Sequence, residues 1–323
     1  MSSLPLSALP SIALDSVSSY GHDLNRPECV LCTASGDIYA SDKSGGIRHI
    51  SPDGTNSLKG ANPDLVPNGF ALLADGTFAV ANLAATGGVW QIDRGGASRP
   101  MIEEVDGLTL PSVNFVWLDD AQRLWICVST GKTGEHRFRK DACEGYIAVH
   151  DASGTRIVAE GLGWTNECRM DRAGDYMYVN ETFGRRLTRF RLHGDASLGP
   201  AETVTEFGVG TYPDGMAMDE EGGIWIVSVV SNRVIRVTPD GKQQVLLEDY
   251  DLKHVNDLEN AFLDNRLTRD MVYDNHSAKL HNITSVAFGG PDRRTVYMGS
   301  INGTSLAVFR SPVAGLRPVH WNW

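Results

Sequence analysis

Three observations in this sequence predict an all-β chain folded as a six-bladed β-propeller, with four-stranded antiparallel blades around a central channel. One pattern recurs six times: a polar residue opening an apolar stretch, an Asp- and Gly-rich turn, then a β-rich run containing an aromatic residue. Most recurrences are separated by about the length of a blade, and a second hairpin signal follows most of them. A unit of this kind cannot bury its own faces, so neighbouring units must stack into a closed ring.

The repeats open at Glu28, Asn68, Asn114, Asn166, Asp214 and Thr284, spaced 40, 46, 52, 48 and 70 residues apart. The fifth, for instance, reads Asp214-Gly-Met-Ala-Met-Asp-Glu-Glu-Gly-Gly-Ile-Trp225. The second hairpin signals are Pro52-Asp53-Gly54, Asp93-Arg94-Gly95, Ser153-Gly154 and Pro239-Asp240-Gly241, each preceded by an alternating run such as Arg233-Val-Ile-Arg-Val-Thr. Each unit therefore carries four short strands, and the pattern predicts one domain over residues 1–323 rather than a pair of β-sandwiches. Ser11 to Val17 is expected to supply the missing outer strand of the blade that ends at Leu306-Ala-Val-Phe309. The long interval before Thr284 holds an insertion at 248–282. In it Val255, Leu258, Phe262, Leu263 and Leu267 follow helical spacing behind a cap at Asn256 or Asp257, predicting a short helix over the joint between blades five and six.

Composition narrows the partners. With 29 Lys and Arg against 40 Asp and Glu, the formal charge is −11, which argues against a nucleic-acid surface. No window approaches the roughly 18 consecutive apolar residues of a membrane helix, and no basic stretch precedes an apolar run at the N-terminus. A cytoplasmic protein without membrane partners is expected. The five cysteines are odd in number and form no zinc pattern, so reduced thiols are expected, with Cys29 and Cys168 as buried packing residues on inner strands.

The first strand of each propeller blade lines the channel, so the six opening residues converge on one axis. That ring would hold two carboxylates, three amides and a hydroxyl. Two carboxylates at close range repel unless something cationic sits among them. Oxygen-only ligands suit a hard divalent ion such as Ca²⁺, Mg²⁺ or Mn²⁺, and the lack of a His or Cys in the ring argues against a dedicated zinc cage. A water-filled channel with a solvated polar rim is the alternative. The sequence has no Gly-x-Ser-x-Gly elbow, His-Glu-x-x-His or Gly-x-Gly-x-x-Gly run in a supporting context, so serine hydrolase, zincin and dinucleotide-binding chemistry lack support.

Arg26-Pro27-Glu28, Pro67-Asn68-Gly69, Thr165-Asn166-Glu167, Asn180-Glu181-Thr182-Phe-Gly-Arg-Arg-Leu, Pro213-Asp214-Gly215 and Thr284-Ser285-Val-Ala-Phe-Gly-Gly-Pro-Asp292 resemble, in order and spacing, the senescence marker protein (regucalcin), gluconolactonase and luciferin-regenerating enzyme family. The resemblance implies a six-bladed propeller and one divalent ion held by Glu28, Asn166 and Asp214, with Ca²⁺ first and Mg²⁺, Mn²⁺ or Zn²⁺ as alternatives. It implies that Asn114 contacts metal-bound water or substrate. The expected activity is metal-dependent hydrolysis of a small lactone, with Asp214 as the candidate base and Asn114 and Asn68 orienting water and substrate. Another ester or phosphotriester hydrolase, or a non-catalytic calcium-binding propeller, are the alternatives. The chain departs from the family at Ser112, where many members carry a substrate-binding Arg. Either the pocket is undemanding and takes simple lactones, or Arg137, Arg139 or Arg185 restores the charge. His136 and Lys140 belong to the same charged loop as the first two, and Trp164 and Tyr212 are candidate pocket walls.

Overall fold

The structure, a computed structural model, describes residues 6–131 and 137–323. It is a six-bladed propeller of four-stranded antiparallel sheets. The inner strands are Val30–Cys32, Pro67–Leu72, Phe115–Leu118, Thr165–Met170, Pro213–Met218 and Ile283–Gly289. Blades bury their faces against one another, and the largest enclosed side chains, Trp125 and Trp225, stand on second strands. Both indoles are anchored identically: Trp125 Nε1 donates to Asp119 at 2.8 Å and Trp225 Nε1 to Asp219 at 2.9 Å. The recurring turn Asp and downstream aromatic of the sequence pattern are thus one physical unit in these two blades.

The ring closes with a strand from each end of the chain. The outer strand of blade six is Ser18–Tyr20, paired antiparallel with Leu306–Arg310. This corrects the expectation for Ser11 to Val17. That segment is held earlier by blade five, where Ile12 N donates to Leu246 O at 2.7 Å, and Leu14–Ser16 then forms a 3₁₀ turn. The chain reaches blade six only afterwards.

The insertion folds as α1 (Leu252–Leu263) and α2 (Arg269–Tyr273). The cap of α1 is Asp251, whose carboxylate accepts from His254 N, not Asn256 or Asp257. Those two polar residues lie one turn inside the helix. Val255, Leu258, Ala261 and Phe262 pack against Phe138, Phe183, Tyr212 and Val229, so α1 covers loops of blades three to five. The joint of blades five and six falls instead to the segment at α2, where Asn282 Nδ2 donates to the carbonyls of Val229 and Val272. Leu263 is exposed.

Candidate functional site

Four of the six opening residues stand at a local irregularity of the inner strand. In blades two, four, five and six the inner strand slips register against its neighbour at Asn68, Asn166, Asp214 and Thr284. A bulge of this kind bends the strand and re-aims the bulged side chain. Inner strands also crowd here: a Cβ on Gly69 would sit 2.8 Å from Phe115 Cα, and one on Gly215 would sit 2.7 Å from Ser285 Cα. Glycine at these two positions lets neighbouring blades approach the axis.

The result is a cavity of about 320 Å³ at the end of the channel where the inner strands begin. Glu28, Asn68, Asn114, Asn166 and Asp214 all line it, together with Ser112, Arg137 and Trp164. The three residues expected to hold an ion are each less than a tenth exposed. Asn166 Nδ2 donates to Thr182 Oγ1 at 3.0 Å, while Asn166 Oδ1 and Asp214 Oδ1 are buried with no hydrogen-bond partner. Burial pushes the Glu28 carboxyl up to about 7; the Arg26 guanidinium opposes this and the Glu167 carboxylate adds to it. Asp214 is also driven well above the ordinary carboxylate range, by burial and then by Glu28 and Glu167. Free acceptors and mutually repelling buried carboxylates are what a bound cation would satisfy.

Three contributors were not recognised in the sequence. Arg26 lines the cavity and donates to Asn68 Oδ1 at 2.8 Å, while Asn68 Nδ2 donates to the Asn114 carbonyl at 2.8 Å. Its position in the Arg26-Pro27-Glu28 motif was the available signal. Arg26 and Trp164 both take left-handed backbone, at φ of 54° and 71°. Such conformations cost about 1–3 kcal/mol each and tend to cluster at functional sites. Glu167 lies beneath the ring, paired with Arg169 at 2.9 Å and accepting from Met216 N at 3.2 Å, and burial pushes it up to about 7. Arg269 reaches the cavity from α2, which no strand pattern indicates.

Residues 26–253 match the family model of the SMP-30/Gluconolactonase/LRE-like region. The chain belongs to this family. A 6-deoxy-6-sulfogluconolactonase of Pseudomonas putida is 27% identical over 240 residues, covering 72% of this chain and 67% of that protein. A segment of 82 residues is 26% identical to serum paraoxonase/arylesterase 1 of Homo sapiens, covering 25% of this chain and 22% of that one. Among solved structures, a gluconolactonase of Xanthomonas campestris superposes with a TM-score of 0.69 at 15% identity, over 95% of this chain and 96% of its own. A calcium-binding regucalcin of Agrobacterium tumefaciens gives 0.63 at 16% identity over 94% of each. These two likenesses show the shared propeller.

Other expected residues of this SMP-30/gluconolactonase/LRE-like chain lie elsewhere. Arg185 pairs with Glu259 of α1 at 2.7 Å and does not line the cavity. Tyr212 is fully buried in the aromatic cluster beneath α1, against Phe183 and Phe262. Arg139 pairs with Asp141 at 2.8 Å on the surface. Thr284 turns its hydroxyl to the Glu28 carbonyl at 2.8 Å and braces blade six against blade one. His136 lies outside the described residues. A further group, His254, Asp274 and His276, brings ligand atoms within 4.8 Å of one another on the insertion, but none of the three lines the cavity.

Proposed function

We propose that this chain acts as a single domain and is a metal-dependent lactone hydrolase of the gluconolactonase type, opening a small lactone with water. The observation that carries the reading is the pair of buried, unpartnered oxygens, Asn166 Oδ1 and Asp214 Oδ1, beside the buried Glu28 carboxyl in a small-molecule cavity. Their donor chemistry fits a hard divalent ion, with Ca²⁺ first and Mg²⁺, Mn²⁺ or Zn²⁺ as alternatives. Glu28, Asn166 and Asp214 would hold it; when bound, it supplies a Lewis acid for the lactone carbonyl.

The chain's own residues do the rest. Asn114 and Asn68, tied to each other and to Arg26, orient the water and the lactone ring. Asp214 takes the proton of the attacking water at Oδ2, the oxygen not assigned to the ion. Trp164, Phe138 and Phe183 wall the site and exclude bulk water, which strengthens each electrostatic contact inside. The relatives support the substrate class, one being a sulfogluconolactonase and another a gluconolactonase. No helix among the described residues is long and apolar enough to cross a membrane. The five cysteines are free thiols, which fits the cytoplasm we assign.

The paraoxonase/arylesterase match favours a second reading, hydrolysis of another ester or phosphotriester at the same site. A pH-indicator panel of sugar lactones, aliphatic lactones, aryl esters and phosphotriesters separates the two. The lactonase reading expects lactones to give the highest kcat/KM, and turnover confined to esters or phosphotriesters refutes it.

A further inference from the structure

The same cavity contains an unusual pair of cations. Among the described residues, three arginines lack a hydrogen bond or ion pair to the rest of the protein through their side chains: Arg137, Arg269 and Arg317. Two of the three line this cavity. In a chain of net charge −11, most guanidinium groups find a carboxylate or carbonyl, as Arg185 does with Glu259 and Arg169 with Glu167. Arg137 and Arg269 instead rest on aromatic faces. The Arg137 guanidinium lies 4.9 Å from the Phe138 ring centroid and 5.9 Å from that of Trp164, and its Nε is buried without a partner. Arg269 lies 4.8 Å from the centroid of Tyr273, another cavity residue. Stacking holds a guanidinium by its face and leaves its N–H edge to form paired bonds to an oxyanion.

The cavity therefore offers groups of both signs. Its ring of Glu28, Asn166 and Asp214 supplies acceptors for a cation, while two arginines from different elements supply unsatisfied donors on its wall. Ser112, at the family's usual arginine position, lines the same cavity but spends its hydroxyl on the Ala84 carbonyl at 3.0 Å. At about 320 Å³ the space is within the range of small-molecule sites, about 300–1,000 Å³. An apolar ligand would leave the buried Arg137 Nε unpaired, and a cationic one would be repelled.

We infer that Arg137 and Arg269 form a subsite for a second, anionic group, so that the substrate is a lactone carrying a phosphate, sulfonate or carboxylate remote from its ester. This deepens the lactonase reading and rests on it, since that reading places the ester carbonyl at the ion held by Glu28, Asn166 and Asp214. The open, undemanding pocket suggested by Ser112 is then replaced by one whose charge selectivity comes from the blade-three loop and the insertion.

The test reads binding rather than turnover, using hydrolysis products as stable probes. Calorimetry would compare 6-phosphogluconate with gluconate on the calcium-loaded wild type, Arg137→Gln, Arg269→Gln and, as a control at an exposed outer turn, Arg94→Gln. The expected result is at least tenfold tighter binding of 6-phosphogluconate by the wild type and by Arg94→Gln, with the ratio falling below threefold in each cavity variant. Equal affinities in the wild type, a ratio unchanged in both cavity variants, or the same loss in Arg94→Gln would overturn the inference. If the selectivity holds while no lactone is hydrolysed, the anionic subsite stands and the lactonase reading falls.

Discussion

Asn166 and Thr182 are joined by a 3.0 Å hydrogen bond in which the amide Nδ2 donates to the threonine hydroxyl, and that hydroxyl donates in turn to the Pro213 carbonyl at 2.8 Å. The relay fixes the sense of the amide. Its NH₂ edge is engaged by blade four and the backbone of blade five, leaving Oδ1 as the free atom. Groups that orient ligands in this way typically contribute 10–100-fold in metal affinity. Thr182→Ala is accordingly expected to weaken divalent-ion binding by about tenfold or more, with Thr182→Ser close to wild type. Calorimetric ion affinities of the two variants check this, and a Thr182→Ala affinity equal to wild type would refute the positioning role.

A stability prediction comes from the paired Asp and Trp of blade five. Asp219 is fully buried, accepts from Trp225 Nε1, and pairs at 2.7 Å with Arg236, itself 2% exposed. Arg236 keeps a second carboxylate, Glu221 at 2.9 Å, so removing Asp219 chiefly leaves the buried indole N–H without an acceptor, at a cost of about 1–3 kcal/mol. Asp219→Ala should lower the denaturation midpoint accordingly, whereas Asp53→Asn in an exposed outer turn should stay within about 0.5 kcal/mol of wild type. Urea titrations of both variants measure the difference.

His320 gives a pH dependence. It is buried near the opposite mouth of the channel, and burial, with Arg169 nearby, lowers its pKa to about 4 from the ordinary 6.5. The unfolded chain thus binds this proton more readily than the folded one, so its contribution to stability is present above 6.5 and is lost as pH falls from 6.5 to about 4. Replacing His320 with Gln should flatten that part of the stability–pH curve. Thermal midpoints across this window would show it, and an identical acid loss in both proteins would count against the assignment.

The thiols should be silent in catalysis. Cys29, Cys32, Cys127 and Cys168 are buried and Cys143 is exposed. Burial holds the Cys29 thiol well above its usual range, so little reactive thiolate forms there. A thiol reagent should modify one cysteine rapidly in the native protein and leave the hydrolysis rate unchanged. Fast inactivation that substrate prevents would instead implicate a cysteine in catalysis.

How much of this was legible in the sequence depends on the range of the interaction. The six opening residues stand out because each occupies the same place in a local strand-turn-strand pattern, and five of them, Glu28, Asn68, Asn114, Asn166 and Asp214, do line one cavity. The sixth, Thr284, has the same sequence signal but spends its hydroxyl on a neighbouring backbone carbonyl. Arg269 was invisible because it enters the cavity from an insertion whose docking is decided by packing of Val255, Leu258 and Phe262, not by strand periodicity. The charged loop and blade-four arginines could not be ranked from sequence: Arg185 finds Glu259 on α1 and Arg137 finds only rings. The sequence does not settle the outer strand because Ile12 and Ser18 each meet a blade backbone, at Leu246 and at Val308, and only the path past blade five shows which one completes blade six.

The most direct test of the proposed chemistry is a metal titration of activity. Protein stripped with a chelator would be assayed for lactone hydrolysis while Ca²⁺, Mg²⁺, Mn²⁺ or Zn²⁺ is added in steps, alongside Asp214→Asn. The account predicts a rate near background without metal, saturable recovery at one equivalent of at least one of these ions, and little recovery in the variant. A stripped wild-type protein that hydrolyses lactones at full rate would contradict it.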